Sequence, residues 1–132
     1  MKINHLGIAV KNLDEAVKKY TDLFGNLDIK IEVSEDKTMR IAHLHFENLN
    51  IELLESLKEG SVIGSFLEKK GEGIHHIAYL SENLEKTLEK AKEMGIQVLG
   101  SPRKGSNNMM ISFLHPRDLN GVLTEFCEGE DS

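Results

Sequence analysis

The feature that most constrains the fold is an internal repeat. When the sequence is laid on itself with an offset of 71, INHLGIAVKNLDEAVKKY (3–20) aligns with IHHIAYLSENLEKTLEKA (74–91). In each copy a short apolar run precedes a polar turn and then apolar residues at helical spacing. Asn12 and Asn83 precede the two helices, where an N-cap side chain accepts from first-turn amides. The repeat therefore predicts two copies of a strand–helix unit.

Three strand-like runs follow each helix, separated by turn-prone residues. They are IKIEV (29–33), MRIAHLHF (39–46) and NIELLE (50–55) in the first copy, and IQVLG (96–100), MMISFL (109–114) and GVLTEFCE (121–128) in the second. Both copies therefore have the order β-α-β-β-β. Neither copy could bury a sizeable core alone, so we expect one domain over 1–132. Module one spans about 1–57, a linker with a short helix spans about 58–72, and module two spans about 73–128.

Composition limits the classes of function. The net charge is −6, and no basic block or aromatic-basic stripe indicates a nucleic-acid partner. No apolar run is long enough to cross a bilayer, and the N-terminal residues do not have the pattern of a signal peptide. The single cysteine, Cys127, has no partner for an internal disulfide, which favours a reducing compartment. We therefore expect a cytoplasmic globular protein.

The repeat also distinguishes the adjacent histidines of GEGIHHIAYL (71–80). Neighbouring residues of a strand point to opposite faces, so His75 and His76 cannot both enter one cleft. His76 is the repeat partner of His5. The last strands of the two copies carry Glu52 and Glu125, each followed three residues later by another glutamate. Two histidines and two glutamates suit a divalent ion such as Co²⁺, Mn²⁺, Ni²⁺ or Zn²⁺.

An ordinary structural interpretation competes with this metal site. A histidine at the start of a strand is more often a hydrogen-bonding residue than a ligand, and a strand glutamate usually faces solvent. The repeat makes four independent coincidences less plausible. The pattern alone leaves both interpretations open.

Several motifs indicate a family. GEGIHHIAY, PRKGS, ISFLHP and NGVLTEF resemble the methylmalonyl-CoA epimerase family of the vicinal oxygen chelate (glyoxalase-like) superfamily, and HLGIAV and IELLE fit it too. The resemblance implies an α+β fold in which two tandem βαβββ modules form a curved mixed β-sheet around one metal ion, with helices outside. It supports His5, His76 and Glu125 as ligands, and places Glu52 where family members carry a Gln or Glu ligand. It also implies a homodimer, an acyl-CoA substrate and a divalent metal, with Co²⁺ favoured.

The implied reaction is inversion at C2 of methylmalonyl-CoA by proton removal and return through a metal-stabilised enolate. Two acid/base groups must then flank the carbon. Following the family, Glu125 is our first candidate. Several family members carry a second glutamate where this chain has Ile41, which cannot transfer a proton. His43 shares a strand face with Ile41 and could replace that glutamate; Glu52 is its rival, and a histidine without a role is the ordinary alternative.

The resemblance also indicates a substrate-binding loop. In PRKGSNN (102–108), the side chains of Arg103 and Lys104 and the amides around Gly105 and Ser106 could meet phosphate or carboxylate oxygens. His115 could contribute or could simply form a turn with the following proline.

Two rival functions remain at this point. A glyoxalase I-type lyase acting on a glutathione hemithioacetal would use the same His/Glu/His/Glu set. A non-catalytic module of the same fold would bind a ligand without turnover.

Overall fold

The repeated pattern folds into eight β-strands and three α-helices within residues 1–130, the part of the chain that this computed structural model describes. The first copy and the helix after it comprise β1 (Lys2–Ala9), α1 (Leu13–Phe24), β2 (Asp28–Val33), β3 (Met39–His45), β4 (Asn50–Ser56) and α2 (Val62–Lys70). The second copy comprises β5 (Gly73–Leu80), α3 (Leu84–Glu93), β6 (Val98–Lys104), β7 (Met110–Leu114) and β8 (Thr124–Glu128). The predicted α+β class with two βαβββ modules is confirmed.

Strand boundaries in the second module differ from the prediction. β8 begins at Thr124, three residues after the predicted start at Gly121. The preceding 3₁₀ turn, Pro116–Leu119, ends at Asn120 in the left-handed conformation, and Gly121 also has a positive φ of 84°. Neither residue can continue a strand in that conformation, so the extended chain starts later.

Two carboxylates fix the helix starts, beyond the caps predicted from the sequence. Asn12 and Asn83 accept from the amides of the third helical residue, at 3.0 and 3.1 Å. In addition, Glu55 accepts from the first helical amide of α1 and Glu128 from that of α3, both at 2.7 Å. Because first-turn amides have no partner inside the helix, each carboxylate binds the last strand of a module to the helix of the same module.

Backbone contacts divide the chain into two compact units. The first unit is Leu6–His75, and the second joins Met1–His5 to the chain from His76 onward. The one-domain organisation and the module boundaries stay predictions. No α-helix in the described range 1–130 is long and apolar enough to span a membrane.

In the first unit the strand order is β2-β3-β4-β1, and β2–β3 and β3–β4 are antiparallel. Apolar residues cover both faces of these strands. Leu13 and other α1 residues pack with Ala42, Leu44 and Leu53 in one cluster. The alternate residues Ile41 and Leu54 form another cluster with residues of α2, namely Ile63, Phe66 and Leu67. Because side chains alternate along β3, one face of the strand packs against α1 and the other against α2.

In the second unit the order is β5-β8-β7-β6, with β5 parallel to β8 and the other pairs antiparallel. One face packs against α3 through a cluster of apolar side chains: Leu84, Leu88, Ala91 and Leu114, with Ile96, Val98, Leu119 and Phe126 against them. Strand alternation turns Phe113 and Glu125 to the opposite face. That face carries the candidate site.

Candidate metal centre and its surroundings

Three predicted ligands, His5 in β1, His76 in β5 and Glu125 in β8, come together in the second unit. Their side chains are buried, with at most 5% of each residue exposed. His5 Nε2 lies 3.1 Å from His76 Nε2 and 3.7 Å from Glu125 Oε1, and His76 Nε2 lies 3.2 Å from the same oxygen. We call these residues the His5–His76–Glu125 cluster.

Strand register explains how β5 and β8 contribute to this cluster. Ala78 is the direct partner of Glu125 in the parallel β5–β8 pair, and His76 lies two residues before Ala78, on the same face. His75, with the opposite orientation, is less buried and makes an edge-to-face contact with the Phe66 ring. The alternation predicted for the two histidines is therefore present.

The tautomer of His5 follows from its neighbour in sequence. Asn4 Oδ1 lies 2.7 Å from His5 Nδ1, and both residues are buried. An amide oxygen can only accept, so His5 Nδ1 carries the hydrogen and donates it. When the ring is neutral, as binding of a metal through Nε2 requires, the lone pair is then on Nε2, the atom near His76 and Glu125.

The donor set fits a divalent ion. Metal–nitrogen and metal–oxygen bonds of about 2.0–2.2 Å place neighbouring ligand atoms about 3–3.6 Å apart for bond angles between octahedral and trigonal. Two of the measured separations, 3.1 and 3.2 Å, fall within that range, and the third, 3.7 Å, lies slightly above it. Imidazole and carboxylate donors also suit first-row divalent metals. The cluster is therefore a possible metal site.

The charge of Glu125 is set by opposing effects. Burial by itself raises the pKa of this carboxyl, whereas its contacts with the rings of His5 and His76 lower it, and the net result is a pKa of about 2. Glu125 is therefore ionised at neutral pH. A buried carboxylate of this kind needs nearby positive charge, which a metal ion would also provide.

An aromatic ring connects this cluster to the predicted substrate loop. Phe113 makes an edge-to-face contact with His76, at 5.6 Å between ring centroids. The guanidinium of Arg103 lies over the Phe113 ring, and its central carbon is 5.3 Å from the ring centroid. The exposed cation of Arg103 thus stacks on a residue that touches the cluster.

The remaining loop residues have distinct local roles. Lys104 is exposed at the end of β6, and Ser106 begins a short 3₁₀ segment, Ser106–Asn108. A Cβ on Gly105 would lie 2.7 Å from the Ile111 side chain, so glycine permits the close approach there. His115 Nδ1 accepts from the Arg117 amide at 3.0 Å, which caps the 3₁₀ turn. The turn interpretation of His115 thus has direct geometric support.

The other predicted residues, His43 and Glu52, belong to the first unit. His43 Nε2 lies 3.0 Å from Glu32 Oε2, and His43 Nδ1 lies 3.6 Å from Glu52 Oε2. His43 and Glu52 are buried, whereas the Glu32 side chain is 26% exposed. We call this group the Glu32–His43–Glu52 triad. On the same strand face, Ile41 lies fully inside the apolar cluster beneath α2.

Comparison with known proteins identifies the family. Residues 4–113 match the model of the Glyoxalase/Bleomycin resistance protein/Dioxygenase superfamily. The chain belongs to this superfamily.

Relatives of known name narrow the comparison. The chain is 39% identical over 127 residues to an ethylmalonyl-CoA/methylmalonyl-CoA epimerase of Cereibacter sphaeroides, covering 94% of this chain and 95% of that protein. A variant of Streptomyces coelicolor methylmalonyl-CoA epimerase, solved in complex with 2-nitronate-propionyl-CoA, matches with a TM-score of 0.92 and 36% identity, over 98% of this chain and 94% of that one. The methylmalonyl-CoA epimerase of Mycobacterium tuberculosis matches with a TM-score of 0.91 and 34% identity, over 98% and 88% of the two chains. The resemblance stated from the motifs is confirmed, and within this superfamily the chain belongs to the methylmalonyl-CoA epimerase family.

Sequence reasoning missed three neighbours of the predicted residues in this superfamily member. Asn4 precedes a predicted ligand, but strand alternation places it on the other face, so the pattern gave no reason to connect them. Glu32 reaches His43 through the β2–β3 register, in which it is the partner of Ile41. Phe113 has no polar atom to attract notice. A register prediction for the β2–β3 hairpin could have found Glu32.

Proposed function

We propose that this protein epimerises C2 of methylmalonyl-CoA and uses one divalent metal ion. The observation that carries the proposal is the buried His5–His76–Glu125 cluster, in a chain similar over almost its whole length to methylmalonyl-CoA epimerases. One of these relatives was solved with methylmalonyl-CoA bound. This supports an acyl-CoA substrate for the present chain.

His5, His76 and Glu125 would hold the ion, and we propose Glu52 as the fourth ligand. Glu52 is supported by its position in the repeat and by its burial. Co²⁺ is the favoured metal, with Mn²⁺, Ni²⁺ and Zn²⁺ as competitors, because first-row ions compete for such sites by availability as well as affinity. When bound, the ion supplies positive charge that stabilises the negative charge developing on the substrate as C2 loses its proton.

Epimerisation requires one group that removes the C2 proton and a second that returns a proton to the opposite face. Glu125 is the first group, because it is a buried carboxylate that stays ionised at neutral pH. Ile41 cannot be the second, since it is an alkyl side chain packed in an apolar cluster. We assign this role to His43. Its contact with Glu32 holds the ring in place and connects it to a side chain that reaches solvent.

Arg103 is the main candidate for binding the anionic part of the substrate, because it stacks on Phe113, which contacts His76. Lys104 and the backbone amides of Gly105 and Ser106 lie next along the chain and would contribute to the same task. His115 would act on the substrate only indirectly, by fixing the turn after β7. A homodimer stays a prediction, which sedimentation equilibrium would test.

The first experiment is proton exchange at C2 of methylmalonyl-CoA in D₂O, with metal-stripped and Co²⁺-loaded protein. We expect deuterium incorporation with inversion only in the loaded protein, and a loss of both in a His76→Ala variant. His75→Ala is the matched control, because the neighbouring histidine has the opposite orientation and should leave exchange unchanged. Absence of exchange in loaded wild-type protein would reject the epimerase function. Activity on methylglyoxal plus thiol would then favour the lyase, and binding without turnover would favour a ligand-binding module.

A further inference from the structure

We infer that Asn4 is a positioning residue that holds His5 in the tautomer and orientation able to bind a divalent ion. This inference rests on the metal site of the proposed function. It assigns a role to a residue that neither the repeat nor the family motifs single out. The observation behind it is the 2.7 Å contact between Asn4 Oδ1 and His5 Nδ1.

A neutral imidazole has one N–H, and its position decides which nitrogen can bind a metal. If Nε2 carried the hydrogen, His5 would direct a donor toward the other two candidate ligands and could not use that atom as a ligand. Asn4 Oδ1 favours the other tautomer, because it accepts only from an N–H on Nδ1. The Nε2 lone pair is then available 3.1 Å from His76 Nε2 and 3.7 Å from Glu125 Oε1.

Burial makes this hydrogen bond difficult to replace. Asn4 is 7% exposed and His5 is 3% exposed. If the acceptor were removed, the His5 N–H would lose its partner in a place with little access to water, and the ring would gain freedom to change tautomer or rotate. Partners of this kind, one step behind a metal-binding histidine, typically contribute about 10–100-fold to metal affinity.

The two halves of the repeat orient their histidines differently. In the second copy the position equivalent to Asn4 is His75, whose ring packs against Phe66. His76 instead has the Phe113 ring at its side. A side-chain amide before the histidine is thus specific to the first copy, and its removal should affect His5 alone.

The test is a Co²⁺ titration of metal-stripped protein, followed by visible absorption, for wild type, Asn4→Ala and Asn4→Asp. We expect the Asn4→Ala variant to bind Co²⁺ about 10–100-fold more weakly. Asn4→Asp keeps an acceptor oxygen and should retain at least wild-type affinity. Asn83→Ala is the matched control, since it removes an asparagine that caps α3 and should lower stability without weakening Co²⁺ binding.

A second readout needs neither metal nor substrate. Imidazole ¹⁵N shifts in the metal-free protein report which nitrogen of His5 carries the hydrogen. We expect Nδ1–H in the wild type and in Asn4→Asp, and a mixture of tautomers in Asn4→Ala. Wild-type Co²⁺ affinity and an unchanged tautomer in Asn4→Ala would overturn the inference, as would an Asn4→Asp protein as weak as Asn4→Ala.

These outcomes are separate from the fate of the epimerase proposal. Weaker Co²⁺ binding in Asn4→Ala, together with no C2 exchange in the wild type, would support the role of Asn4 and reject the reaction. Normal exchange in the wild type, together with unchanged Co²⁺ binding in Asn4→Ala, would support the reaction and reject the role of Asn4.

Discussion

Each unit places a buried glutamate from the last strand of its repeat beside a histidine, but the two glutamates have different surroundings. In the second unit Glu125 faces the Nε2 atoms of both His5 and His76. In the first unit Glu52 lies 3.6 Å from Nδ1 of His43, and the other nitrogen of that ring contacts Glu32. In the second unit three possible metal-binding atoms lie close to one another. In the first unit the two nitrogens of the His43 ring lie near two different glutamates, Glu32 and Glu52.

This difference comes from strand neighbours. β8 lies beside β5, which carries His76, and the parallel register brings that histidine to the face of Glu125. β4 lies beside β3, where the antiparallel register makes His43 the direct partner of Glu52. The repeated sequence therefore places the two glutamates at equivalent positions in their strands, whereas the adjacent strand determines which histidine lies beside each glutamate.

The largest expected effect comes from exchanging each glutamate for glutamine. We expect Glu125→Gln to lower C2 exchange about 1000-fold or more, because it removes both an acid/base group and a charged metal-binding oxygen. Glu52→Gln should lower exchange less than about 10-fold, since Gln keeps the amide oxygen as a neutral ligand. Isotope exchange and Co²⁺ titration of both variants measure this contrast. Equal losses in the two variants would contradict the division of roles between the units.

Substitution of His43 examines the triad directly. We expect His43→Ala to reduce exchange about 100-fold through loss of an acid/base group. His45→Gln, on the same face of β3 and bonded to Asn50, is the control and should retain wild-type exchange. Full turnover in His43→Ala would remove this histidine from the mechanism and leave Glu52 as the second acid/base candidate.

The carboxylates at the helix starts test where the two units are alike. Glu55→Ala and Glu128→Ala should each lower the free energy of unfolding by about 1–2 kcal/mol, because each leaves a first-turn amide without its partner. Urea denaturation gives both values, and Gln at either position should lose less because it keeps an acceptor oxygen. A large loss of stability in one variant and none in the other would show that the two glutamates do not stabilise their helix starts equally.

The smallest effect is expected at the turn between β2 and β3. Asp36 accepts from Thr38 N, Thr38 Oγ1 and Ser34 Oγ, and these bonds hold the pKa of its carboxyl below the usual 3.8. A lowered pKa in the folded protein stabilises it above pH 3.8, and this contribution disappears as the pH falls through the folded pKa. Because the carboxylate is exposed and its interactions are screened by solvent, Asp36→Ala should destabilise by no more than about 0.5–1 kcal/mol at pH 6, and the difference from wild type should shrink below pH 3.8. Urea denaturation at both pH values measures it, and a difference that does not depend on pH would contradict this account.

Predictions from the sequence were accurate where local spacing carries the information. The asparagine caps, the helix at Val62–Lys70 and the βαβββ order followed from residue types and periodicity. The start of β8 was placed too early, because a 3₁₀ turn and two residues with positive φ occupy the first part of the predicted run. Apolar spacing alone does not show such a turn.

The candidate site was predictable to the extent that the repeat marks it. By itself the sequence determined which residues are equivalent in the two copies, and hence that His5, His76 and Glu125 would be chosen together. The tertiary structure decided their neighbours: Asn4 on His5, Phe113 on His76, and Glu32 on His43. The physical reason is that spacing along a chain fixes the face to which a side chain points, whereas hydrogen bonds and ring contacts depend on strand register and side-chain rotation, which only the folded chain sets.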